Sequence, residues 1–135
     1  MCISLLPQHY NYLWRLSWLH LPSAIYAINR GYYSCGILSG TVFLTSLNYW
    51  RNPEEGWRRR LDILCVRAAL GYHLISGYNS NNKYSTQYYT ITIAAVSCYP
   101  IGIYFYNKNQ LWASTISHGF VHILSFIGNN LLYSG

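Results

Sequence analysis

Charge is spread so unevenly along these 135 residues that it limits where the chain can meet water. Both glutamates and four of the arginines fall between Arg51 and Arg60, and the only aspartate, Asp62, follows at once. The stretch from Ser46 to Asp62, SLNYWRNPEEGWRRRLD, therefore joins two apolar runs through one short charged connection. Charged residues are 9% of the sequence and apolar residues 52%, whereas a soluble domain carries about 25% charged residues. Too few charges remain to coat a water-facing surface, and the pattern predicts an all-α polytopic membrane helix bundle of four to five transmembrane helices. The mean hydropathy is only +0.08, but the 15 Tyr and 5 Trp depress that average while suiting a membrane interface.

Residues 1–135 read as a single integral membrane domain. Residues 13–29 are either a first span or an interfacial helix, since Arg15, His20 and Pro22 interrupt them. Residues 32–50 form a span whose Ser34, Gly36, Ser39 and Gly40 permit close helix packing. Residues 61–78 form the next, carrying Asp62, Arg67 and His73, and NSNNK at 79–83 is a polar turn. Residues 87–106 are β-branched and aromatic, with a kink expected at Pro100, and residues 111–133 carry His118 and His122. Runs of about 20 residues at about 1.5 Å each match a hydrocarbon core of about 30 Å. Arg51, Arg58, Arg59, Arg60 and Lys108 fall on one side of these spans, and Arg30 and Lys83 on the other. The positive-inside rule makes the 51–60 connection cytoplasmic.

The formal charge of +6 does not gather on one helix face or in a basic tail, which argues against nucleic acid as a partner. Cys2, Cys35, Cys65 and Cys98 lack CxxC spacing and read as buried thiols. No N-x-S/T acceptor occurs, and Pro7, His9, Asn11 and Arg15 break up the N-terminal stretch, so no cleaved signal peptide is expected.

Polar residues in the last span recur at helical steps: Ser114, His118, His122, Ser125 and Asn129. The third answers with Asp62, Ala69, His73 and Ser76, and the second with Ser39 and Ser46. Such stripes are penalised against lipid and are expected to face one another inside a bundle. Counting rise from the cytoplasmic boundary puts Asp62 at the surface, Ser46 about 6 Å in, His118 about 10 Å, His122 about 16 Å and His73 about 18 Å. Ser46, Asp62 and His118 can then meet, and His73 can meet His122. Two histidines at i and i+4 can ligate one metal, with His73, together with Asp62, the candidate to supply the third ligand; a zinc ion there would activate water against a lipid amide or ester. Other roles stay open: an interhelical hydrogen-bonded pair for His118 and His122, a helix N-terminal position beside Arg58 and Arg59 for Asp62, and a hydrogen bond to its own helix for Ser46.

The order SxxxH, then Asp, then HxxxH resembles the superfamily of alkaline ceramidases and adiponectin-type receptors, and Ser46, Asp62, His118 and His122 stand in that order. The resemblance implies zinc-dependent lipid amide hydrolysis by a seven-span protein, with Ser46 and Asp62 supporting the reaction. Trp50 stands where the first histidine of that pattern belongs, and the chain is too short for seven spans. SLNYWRNPEEGWRRRLD is also similar to small uncharacterised multi-span membrane proteins of algae and large DNA viruses, a likeness that implies no activity. Three functions follow as expectations: a zinc-dependent membrane hydrolase acting on a lipid, a noncatalytic subunit that packs with a partner or with itself, and transport along the polar stripe.

Overall fold

The computed structural model describes residues 5–79 and 82–135. Cys2 and residues 80–81 of the expected polar turn lie outside the described residues, which are 84% helical with no strand among them. Six helices follow in order: α1 (Pro7–Ser17), α2 (His20–Asn29), α3 (Tyr33–Trp50), α4 (Trp57–Asn79), α5 (Ser85–Asn107) and α6 (Leu111–Ser134). The last four coincide with the expected spans to within a few residues, and α5 continues through Pro100.

Residues 13–29 are not one helix. Pro22 offers no N–H to the Trp18 carbonyl and its ring crowds that oxygen, so the chain breaks at Trp18 and Leu19, and the carbonyl accepts the Leu21 N–H at 3.2 Å instead. Both pieces run alongside α6 in its own direction. His9 packs edge-on against Trp112, His20 meets His122, Ser23 donates to Asn130, and Tyr26 meets Ser134. Together α1 and α2 make one broken rod.

The turns have local causes. Gly31, at φ +86°, ends α2 in the left-handed conformation that glycine adopts without strain. The Tyr32 N–H then reaches back to the Ala27 carbonyl at 2.8 Å, and the Gly31 N–H to Ile28 at 3.1 Å. Asn109 ends α5 the same way, with the Gln110 N–H on the Phe105 carbonyl. The connection expected over 51–60 is shorter, because Arg58, Arg59 and Arg60 already belong to the first turn of α4. Arg58 donates to the Asn48 and Asn52 carbonyls at 2.9 Å each, while Glu54 and Glu55 lie 3.8 Å from Arg58 and Arg59.

The broken rod packs on α3 and α6, α3 packs on α4, and α5 packs on α6, whereas α4 and α5 touch only lightly. The result is a ring of five rods with a seam between α4 and α5. Apolar clusters close it at both ends: Leu5, Leu13, Tyr49 and Trp50 beside the 51–56 connection, and Ala27, Cys35, Tyr88, Leu132 and Tyr133 at the other. The outward faces are apolar too, with Ile37 and Ile93 67% exposed and Leu64 65%. Among the described residues one helix, Ser85–Asn107, is long and apolar enough to cross a membrane. In α4 the arginines and Asp62 dilute a helix of the same 23-residue length.

Candidate functional site

Between the terminal clusters the ring encloses a cleft of about 540 Å³. Five residues singled out in the sequence, Ser46, Asp62, His73, His118 and His122, all line it, and His20 of α2 joins them. Apolar wall comes from Val42, Ile63, Leu70, Ala95 and Val121. Val66 and Arg67 of α4 and Val96, Ser97, Tyr99 and Pro100 of α5 line the cleft and are exposed, which places its mouth at the α4–α5 seam. Pro100 also deprives the Val96 carbonyl of its helical donor, leaving an acceptor at that mouth.

Asp62 is buried on α4, and its Oδ1 accepts the Ser46 hydroxyl at 2.8 Å and the Thr45 hydroxyl at 3.0 Å. It is the sixth residue of α4, beyond the first turn, so the helix-terminal reading of Asp62 gives way to a cross-helix one. Arg58 and Arg59 face Glu54 and Glu55. Ser46 does not turn back on its own helix. A carboxylate removed from water needs donors that hold it, and two adjacent hydroxyls of α3 supply them. Both converge on Oδ1, and Oδ2 has no partner among the described residues.

His73 is committed elsewhere. Its Nδ1 lies 2.6 Å from the Ala69 carbonyl, which can only accept, so Nδ1 carries the proton and Nε2 accepts the Tyr133 hydroxyl at 2.5 Å. Ser39 in turn donates to the Tyr133 oxygen at 3.2 Å. The chain Ser39, Tyr133, His73, Ala69 ties α3, α6 and α4 together. The expected approach of His73 to His122 is not made.

His122 meets His20 instead, Nδ1 to Nε2 at 3.1 Å, with ring centroids 5.3 Å apart. His118 stands one turn away, its ring centroid 5.5 Å from that of His122, held edge-on by Trp50 at 5.1 Å and Tyr99 at 5.8 Å. Trp50 thus packs its ring edge-on against the His118 imidazole. His118 Nδ1 and His122 Nε2 are buried without a partner among the described residues. Such atoms cost about 1–3 kcal/mol each when left unmet, and a polar group entering the cleft would satisfy them.

The same geometry tests zinc. His118 and His122 offer ring nitrogens, but both nitrogens of His73 are engaged and the Asp62 Oδ1 holds two hydroxyls. No group of three or more His, Cys, Asp or Glu gathers for a metal among the described residues. As placed, His73 is not free to join His118 and His122 on one ion, and no step below passes through zinc.

Sequence reasoning missed three partners. In the sequence His20 marks only an interruption of residues 13–29, although a histidine beyond a helix break on a rod packed on α6 is well placed to meet His122. Thr45 lies beside Ser46 and could have been paired with it. Tyr133 is one of 15 tyrosines and carried no signal. Cys35, Cys65 and Cys98 are free, the first buried and the others half-buried. Comparison with models of known families, with curated proteins and with solved structures gives no match.

Proposed function

We propose that this chain is a polytopic integral membrane protein of five rods that admits an acyl-chain amphiphile through the α4–α5 seam and hydrolyses its amide or ester bond. The observation that carries the reading is the convergence of Ser46, Asp62, His118 and His122 on one apolar-walled cleft whose mouth opens sideways. A volume of about 540 Å³ falls within the roughly 300–1,000 Å³ of small-molecule sites, which pair apolar walls with a few convergent polar groups. A sideways mouth suits a ligand delivered by the bilayer. The apolar outer faces of the rods support the membrane setting, and the grouping of Arg51 and Arg58 to Arg60 at one end supports a cytoplasmic 51–56 connection.

In this reading Asp62 acts as base. Ser46 and Thr45 fix the carboxylate, and Oδ2 takes the proton of a water whose oxygen bonds to the acyl carbon. The imidazole of His118 or His122 donates a hydrogen bond to the carbonyl oxygen as charge builds there. The bond to nitrogen or oxygen then breaks, and the leaving amine or alcohol takes the proton back from Asp62. A positioned base contributes about 10²- to 10⁴-fold. The test is fatty acid release from an N-acyl amine and an acyl ester in mixed micelles. Asp62→Asn is expected to reduce release at least about 100-fold with the fold retained; no release by the native chain, or an unchanged rate in the variant, overturns the reading.

A noncatalytic packing role keeps one specific observation. Gly40 opens onto space with nothing within 4 Å of where a Cβ would stand, which leaves room for a second helix to approach.

A further inference from the structure

Two arginines line the cleft; Arg59 faces Glu55, and the proposed reaction does not use Arg67. It sits on α4 between Val66 and Ala68, lines the cleft and is exposed at its mouth. The sequence has three acidic side chains. Glu54 and Glu55 are at the 51–56 connection beside Arg58 and Arg59, and Asp62 accepts Thr45 and Ser46. Arg67 therefore has neither ion pair nor hydrogen bond among the described residues, even with Asp62 only five positions away. Seven residues into α4 from Arg60, it starts about 10 Å below that end of the bundle, at a depth where an isolated guanidinium is costly. Its neighbours on α4 along the cleft wall, Ile63, Val66 and Leu70, carry no acceptor side chain, and the acceptor across the mouth is the Val96 carbonyl freed by Pro100.

We propose that Arg67 selects ligands whose acyl chain lies in the cleft and whose oxyanion head, carboxylate or phosphate, seats on its guanidinium at the α4–α5 mouth. The proposal rests on the reading of the cleft as a lipid site. A planar fork of N–H donors matches either oxyanion with two parallel hydrogen bonds. The long side chain can keep its head near the polar boundary while its stem covers the apolar rim. A carboxylate is also what acyl amide or ester hydrolysis releases, so the same contact would hold the product after the bond breaks.

The purified full chain in phosphatidylcholine nanodiscs tests this through competition against a fluorescent acyl probe by oleate, monooleyl phosphate, uncharged monoolein and inorganic phosphate. The native chain is expected to prefer both anionic amphiphiles over monoolein by about tenfold, the ratio that about 1.4 kcal/mol produces. Arg67→Gln should erase that preference while monoolein competes as before, and Arg67→Lys should retain part of it. Equal competition by all three amphiphiles, or a preference that survives Arg67→Gln, overturns the role of Arg67 while leaving the cleft intact. Competition by inorganic phosphate as strong as that of monooleyl phosphate overturns the head-group assignment in favour of a free anion. If no amphiphile displaces the probe from the native chain, the lipid cleft itself fails and this inference with it.

Discussion

At the scale of single residues, the site is a set of polar groups that have found partners across helices. Asp62 is held by two hydroxyls, and each hydrogen bond to an ionised group contributes about 1.5–3 kcal/mol. Ser46→Ala and Thr45→Val should each lower stability by an amount of that order, read as the free energy of unfolding in detergent, with the double variant losing more than the sum because in each single variant the remaining hydroxyl still holds Oδ1. Tyr133→Phe should cost more than Ser39→Ala. The phenol both accepts from Ser39 and donates to His73, so its loss strands a buried imidazole nitrogen, whereas loss of Ser39 removes only a donor. Equal effects of the two would mean that the chain through His73 is not formed. The Ser46–Asp62 contact was legible in the sequence because both residues flank one short connection at similar depth. The His73–Tyr133 contact was not, since depth set His73 level with His122, and Tyr133 lies near the far end of α6.

At the scale of helices, two glycines of α3 separate packing within the chain from packing between chains. A Cβ on Gly36 would stand 2.5 Å from Ile28 Cγ1 and 3.1 Å from the Ala24 carbonyl oxygen, whereas Gly40 is open. Gly36→Leu should unseat α2 from α3 and lower the yield of folded protein, as overpacking costs typically about 1–3 kcal/mol. Gly40→Leu should fold normally, so its effect on oligomer size in detergent reads directly on self-association; an unchanged oligomer would remove this face from the packing role. At the seam, Val66→Trp places a large ring where α4 and α5 barely touch, and it should block amphiphile entry while leaving the fold intact, as seen by circular dichroism and by competition with the acyl probe. The four long helices were legible to within a few residues because long apolar runs end at charged or Asn-rich turns. The broken first rod was only half legible: Pro22 announced the break, but nothing local announced that both pieces would follow α6.

At the scale of the whole molecule, the architecture follows from how apolar and polar surface is shared out. Tyr, Trp and Leu close both ends, isoleucine and leucine turn outward, and the polar stripes of three helices are left facing one another in the middle. Adding the rod carrying His20 completes a ring on every side but one, and that side is the α4–α5 seam. The sequence implied an inward polar face but not where the ring opens, because the opening reflects a weak contact between two helices rather than any residue of distinctive type. Labelling of a cysteine placed in the 51–56 connection should succeed from the cytoplasmic side of intact cells or vesicles, and a cysteine at Lys83 should be labelled from the opposite side. Labelling of both from the same side would contradict the five-rod crossing. The most direct measurement is photo-crosslinking with a bilayer lipid carrying a diazirine midway along its acyl chain, followed by peptide mapping. Adducts on Leu70, Ala95 and Val121, lost in Val66→Trp, are the predicted result; adducts confined to outward residues such as Ile37 and Ile93, unchanged in that variant, would contradict a cleft that takes its ligand from the membrane.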